Sequence, residues 1–216
     1  MSEHCCPTPA PGADSRYRRI LWIALFVNVA MFAVELAASA FSGSASLAAD
    51  AVDFAGDAAN YGLSLAAIAA GGIWVSRAAF AKGLAMGAFG IAVLAFCAWR
   101  IAVGAAPEVI TMGIVGTLAL AANLLVAWML YAYRDGDANM RSVWLCSRND
   151  ALGNLAVLAA AARVFSTGSF WPDVAVGALM ATLALHSAAS ILRQARREIA
   201  LARAMPTTME ASDRRP

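Results

Sequence analysis

Three carboxylates and an amide share one face of a single segment. In ADAVDFAGDAANY, Asp50, Asp53, Asp57 and Asn60 are spaced by 3, 4 and 3 residues. At about 100° per residue they fall within an arc of roughly 60° if the segment is helical. A second segment, VWLCSRNDALGNLAVLAAA, sets Cys146, Asp150 and Asn154 four residues apart, again on one face. Arg148 points nearly opposite, which makes it a poor neutraliser of Asp150. Two i,i+4 pairs on facing helices offer three carboxylates and one thiolate, a donor set for a four-coordinate divalent transition metal. The plainer reading is a polar ladder that fixes helix packing, with Cys146 a small apolar filler.

These groups sit in an apolar chain. Of 216 residues, 61% are hydrophobic and 14% charged, against about 25% charged in a soluble domain. Six runs are long enough to span a bilayer, which needs roughly 20 residues each: Ile20–Phe41, Leu47–Val75, Ala78–Val103, Val109–Tyr133, Val143–Ala162 and Phe170–Leu192. The predicted fold is an all-α membrane protein, a bundle of six transmembrane helices. A carboxylate at mid-bilayer costs roughly 2.5–3.5 kcal/mol on the insertion scale. Asp50, Asp53, Asp57 and Asp150 must therefore face the bundle interior, water or a cation.

Basic residues set the orientation. Arg16, Arg18 and Arg19 precede the first span, Arg77 and Lys82 mark the junction of spans two and three, Arg134 and Arg141 separate spans four and five, and Arg193, Arg196 and Arg197 follow span six. Both termini are thus expected in the cytoplasm. Trp22, Trp74, Trp99, Trp128, Trp144 and Trp171 all fall near span ends, where indoles prefer the interface. The ASA at 38–40 resembles a signal-peptide cleavage site. The long basic approach and Glu35 inside the run favour a retained span instead.

Three regions follow: a disordered cytoplasmic tail over 1–15, a six-helix domain over 16–197 and a short cytoplasmic tail over 198–216. His4, Cys5 and Cys6 in the first tail form a possible capture site for a soft metal, incomplete for zinc on its own. The four cysteines imply no disulfide framework. The net charge of +2 reflects topology and gives no case for nucleic acid. Gly83 and Gly87 permit close helix packing. Glu35 and Asn123 are solitary, either lining an ion path or making an interhelical hydrogen bond, and His186 reads as a packing residue.

Span two enters from outside and span five from inside. At 1.5 Å per residue, Asp53 and Asp57 lie roughly 9–15 Å below one face, and Cys146 and Asp150 roughly 5–11 Å from the other. On a core of about 30 Å these depths meet near the midplane. The segments also resemble each other, with Asp57 over Asp150 and Asp53 over Cys146.

SGSASLAADAVDFAGD resembles the second-helix signature of the cation diffusion facilitator family, and CSRNDALGN its fifth-helix signature. The resemblance covers roughly Leu21–Leu192. It implies that Asp53, Asp57 and Asp150 are metal ligands, with Cys146 at a position where the family usually has histidine. Asp50 ligates directly, or caps or anchors the helix, and Asn60 and Asn154 support the ligands or join helices. The family commonly carries a cytoplasmic metal-binding domain after helix six, and this chain resembles a short form without it.

The expected function is export of a divalent transition metal (zinc or cadmium, then cobalt or ferrous iron) by proton antiport. The chain is read as a transporter rather than an enzyme, without a prosthetic group, in a bacterial inner membrane. Its partners are metal ions, protons and lipid, with a homodimer as a further arrangement. The rival readings are an intramembrane assembly subunit whose acids pair with a partner's basic residues, and an intramembrane hydrolase using Cys146.

Overall fold

The structure is a computed structural model that describes residues 15–69, 73–133 and 138–204. Within those ranges it describes all side chains except those at 67–69, 73, 75, 138–143, 145, 146, 203 and 204. Six helices and no strand occur among the described residues: α1 (Ser15–Ser42), α2 (Ala45–Ala69), α3 (Ile73–Val103), α4 (Val109–Tyr131), α5 (Ala138–Thr167) and α6 (Trp171–Ala204). The apolar run expected to reach Val75 is broken earlier, so Ile73–Val75 open α3. α5 begins before Val143, and α6 continues past Leu192 to Ala204.

Among the described residues, four helices, α1, α3, α4 and α6, are long and apolar enough to cross a membrane. The other two, α2 and α5, carry Asp50, Asp53, Asp57 and Asp150. The bundle is apolar outside and polar within. Phe26, Ile91, Ile110, Trp128, Phe165 and Leu183 are exposed, whereas Asn28, Glu35, Asp50, Asp57, Asn123 and Asn154 are buried. That inversion suits a lipid solvent, in which polar side chains turn toward the bundle centre.

The helices pack most extensively as α3 with α6, α1 with α2 and α4 with α5. Two apolar clusters bracket the polar interior. One gathers Leu47, Val52, Val93, Met112, Val157 and Val174 near the start of α2. The other gathers Tyr17, Leu21, Ala24, Tyr61, Val126 and Leu130 near its end.

The turn from α1 to α2 is tightly held. Gly43 has φ +71°, and a Cβ there would stand 2.6 Å from Arg100 Nη1. Arg100 is itself buried and donates to the Ala105 carbonyl at 2.6 Å. Asp173, in the first turn of α6, caps α2 from a distance. Its carboxylate accepts from Ala45 N (2.7 Å), Ser46 N (3.0 Å), Ser44 Oγ (2.7 Å) and Ser46 Oγ (2.6 Å). It thereby satisfies donors that a buried helix start leaves open. Ser44 Oγ also accepts from Leu47 N at 3.1 Å. Glu108 caps α4, accepting from Ile110 N and Thr111 N at 2.8 and 2.7 Å. Hydrogen bonds from Thr111 and Ile110 hold its carboxyl below the usual carboxylate range.

Candidate metal site

The site is built on the antiparallel packing of α2 against α5, whose register can be read from three rungs. Tyr61 Oη and Ser147 Oγ are 2.7 Å apart. The carboxyls of Asp57 and Asp150 lie within electrostatic range of each other. With its amide oriented to satisfy its neighbours, Asn154 donates to Asp50 at 2.5 and 2.9 Å. Positions fall along α2 as they rise along α5, from 61 and 147 through 57 and 150 to 50 and 154. The face predicted by the 3, 4, 3 spacing is thus a physical seam.

Asp57 is buried and its carboxyl bonds Asn60. Asn60 Oδ1 accepts in turn from Lys82 Nζ on α3. Lys82 is buried and bears electrostatically on Asp57. It therefore belongs to the interior, where the sequence suggested a basic residue at a helix junction. Asp150 Oδ2 is buried with no hydrogen-bond partner among the described residues. Asp53 is half-buried between the levels of Asp50 and Asp57 and lies within electrostatic range of both.

Asp50 does not cap α2, because Asp173 and Ser44 do so. It is buried one turn before Asp53, on Asn154. Asn154 Oδ1 accepts from Asn123 Nδ2 of α4 at 2.8 Å. Asn123, solitary in sequence, is thus tied into the seam through α5. Arg148 is exposed, with its guanidinium 5.3 Å from the centre of the Trp144 ring, so it turns away from Asp150 as the helical period requires. His186 is exposed on α6 and packs in no core cluster.

Cys146 precedes Asp150 by one turn of α5, and its side chain lies outside the described residues, as do His4, Cys5 and Cys6. Among the described residues, no three His, Cys, Asp or Glu side chains form a group that could enclose an ion. Asp57 and Asp150 supply two converging carboxyls, with Asp53 one turn away.

Reasoning from spacing undervalued three residues: Glu35, Lys82 and Asp173. Glu35 on α1 is fully buried within electrostatic range of Asp50 and Asp53. Each meets α2 or its hydrogen-bond partners from a different helix, so no periodicity within one segment announces it. Burial of a charge in an apolar run was the only available signal, and it was present for Glu35.

The geometry agrees with the comparisons. The cation efflux transmembrane domain matches residues 21–200. The cadmium, cobalt and zinc/H(+)-K(+) antiporter of Bacillus velezensis is 34% identical over 85 residues, which is 38% of this chain. The chain spans 27% of that relative's length. The family match takes in the whole of α2, α3, α4 and α5 and most of α1 and α6. With its acids turned inward inside an apolar exterior, the chain belongs to the cation efflux (cation diffusion facilitator) family of multi-pass membrane proteins.

Proposed function

We propose that this protein is a secondary transporter that exports divalent transition-metal cations from the cytoplasm in exchange for protons. All six helices cross a bacterial inner membrane, with both termini on the cytoplasmic side. The observation that carries this reading is the approach of Asp57 to Asp150, within electrostatic range across antiparallel α2 and α5, inside a bundle with an apolar exterior.

Asp57 and Asp150 hold the ion, Asp53 joins from one turn along α2, and Cys146 supplies the fourth donor. Zinc and cadmium suit a mixed oxygen and sulfur set, with cobalt and ferrous iron behind them. The metal is cargo, and the reading requires no prosthetic group. Buried carboxylates must be neutralised, and either a divalent cation or protons can do this. Exchange between the two couples the fluxes. The two apolar clusters bracketing the seam suit gates that open in turn as the helices rock.

The assembly-subunit alternative needs acids that a partner's basic residues can reach. Burial of Asp50 and Asp57 inside the bundle speaks against it. Purified protein in vesicles is expected to take up Zn²⁺ or Cd²⁺ under an imposed pH gradient. Asp57→Ala and Asp150→Ala are expected to reduce uptake to the level of empty vesicles while the protein stays folded. Normal uptake by both variants refutes the site.

A further inference from the structure

Glu35 is the least satisfied group in the bundle. Its side chain is 0% exposed, and neither carboxylate oxygen has a hydrogen-bond partner among the described residues. The charges within its range are those of Asp50 and Asp53, of the same sign. An unpaired buried carboxylate is costly, and a second one beside it compounds the cost. Asp50 is 2% exposed and accepts from the Asn154 amide. Two carboxylates from α1 and α2 and an amide from α5 thus converge with one feature in common: each can offer oxygen to a cation.

This group is separate from the Asp57–Asp150 pair. Asp50 and Asp57 are seven residues apart on α2, a rise of about 10 Å. A transition metal sits roughly 2.0–2.2 Å from a carboxylate oxygen, so one ion cannot be bound by both. Asp53 lies between them, one turn from each and within range of both. The α1–α2 turn end of the ladder holds Glu35 and Asp50. The other end holds Asp57, Asp150, Asn60 and Lys82.

We propose that Glu35 and Asp50, closed by the side-chain amide of Asn154, form a second station for a divalent cation, with Asp53 passing the ion between the two. The Asn154 amide has two faces. Its nitrogen donates to Asp50 when the station is empty, and a half-turn presents its carbonyl oxygen to a bound ion. An oxygen-only station holds zinc or cadmium less tightly than a site with sulfur. That suits a release point on the far side of Asp57 and Asp150. The proposal rests on the chain being a metal exporter, and its test separates the two.

The test is equilibrium binding of Cd²⁺ to the full-length chain in nanodiscs, with His4, Cys5 and Cys6 substituted to remove the tail donors. Asp57→Ala combined with Asp150→Ala is expected to leave one Cd²⁺ bound per chain. Adding Glu35→Gln is expected to weaken that remaining binding at least tenfold, and Glu35→Asp to weaken it less. Glu35→Gln alone is expected to leave binding at Asp57 and Asp150 within about threefold while slowing transport. Glu35→Gln keeps the shape of the side chain and removes a buried charge, and the unfolding temperature of each variant checks that it is folded. The station is overturned if the double variant binds no Cd²⁺, or if Glu35→Gln leaves its residual binding unchanged. If the folded parent binds no Cd²⁺ at all, both the station and the exporter reading fall.

Discussion

At the scale of single residues, Asp57 and Asp150 face each other at a cost to the fold. Two carboxyls within electrostatic range inside an apolar bundle repel when both ionise. Removing one charge should therefore separate stability from function. Asp150→Asn is expected to raise the unfolding temperature by about 2–5 °C, followed by tryptophan fluorescence in detergent, while abolishing metal transport. A variant that loses both is a folding defect and contradicts the assignment. Lys82 makes the complementary case. Its ammonium is tied to Asn60, the hydrogen-bond partner of Asp57, and on the proposed reading would compete with an arriving cation. Lys82→Gln is expected to tighten Cd²⁺ binding about tenfold, the ~1.4 kcal/mol effect of one nearby like charge at an intermediate dielectric. Titration of purified protein by calorimetry checks this, and weaker binding would show that Lys82 supports the ligands instead of opposing the ion.

At the scale of elements, the placing of α2 decides whether the seam forms. Its start is fixed by Asp173 and by close packing on α6. A Cβ at Gly177 would lie 2.7 Å from the Ala45 carbonyl carbon and oxygen. Asp173→Ala removes an acceptor of four hydrogen bonds and is expected to cost about 2–4 kcal/mol. Gly177→Ala is expected to cost about 1–3 kcal/mol by overpacking. Chemical unfolding in detergent measures both. The face of α2 was legible because helical period alone aligns Asp50, Asp53, Asp57 and Asn60. Its pairing with α5 was legible because depth and direction brought Asp57 and Asp150 together. The end of α2 at Ala69 was not legible, since the apolar residues run on through Ile73–Val75 without a charge to mark it. Nor was the role of Asp173. An acid at the first turn of α6 looks like ordinary helix-end chemistry until the fold lays the start of α2 against it. Glu35 was visible as an anomaly, but its neighbours on α2 follow from tertiary packing of α1.

At the scale of the whole molecule, a polar seam lies between two apolar clusters inside an apolar exterior. A bundle so arranged can neutralise its interior with a metal from one side and protons from the other. The two fluxes must then share the same carboxylates. The most direct measurement follows metal uptake and internal pH together in vesicles containing wild type or the Asp57→Asn, Asp150→Asn double variant. The account predicts coupled, opposite movement of metal and protons in the wild type and loss of both in the double variant. Metal uptake at the wild-type rate in the double variant, or uptake in the wild type with no proton movement, would contradict it.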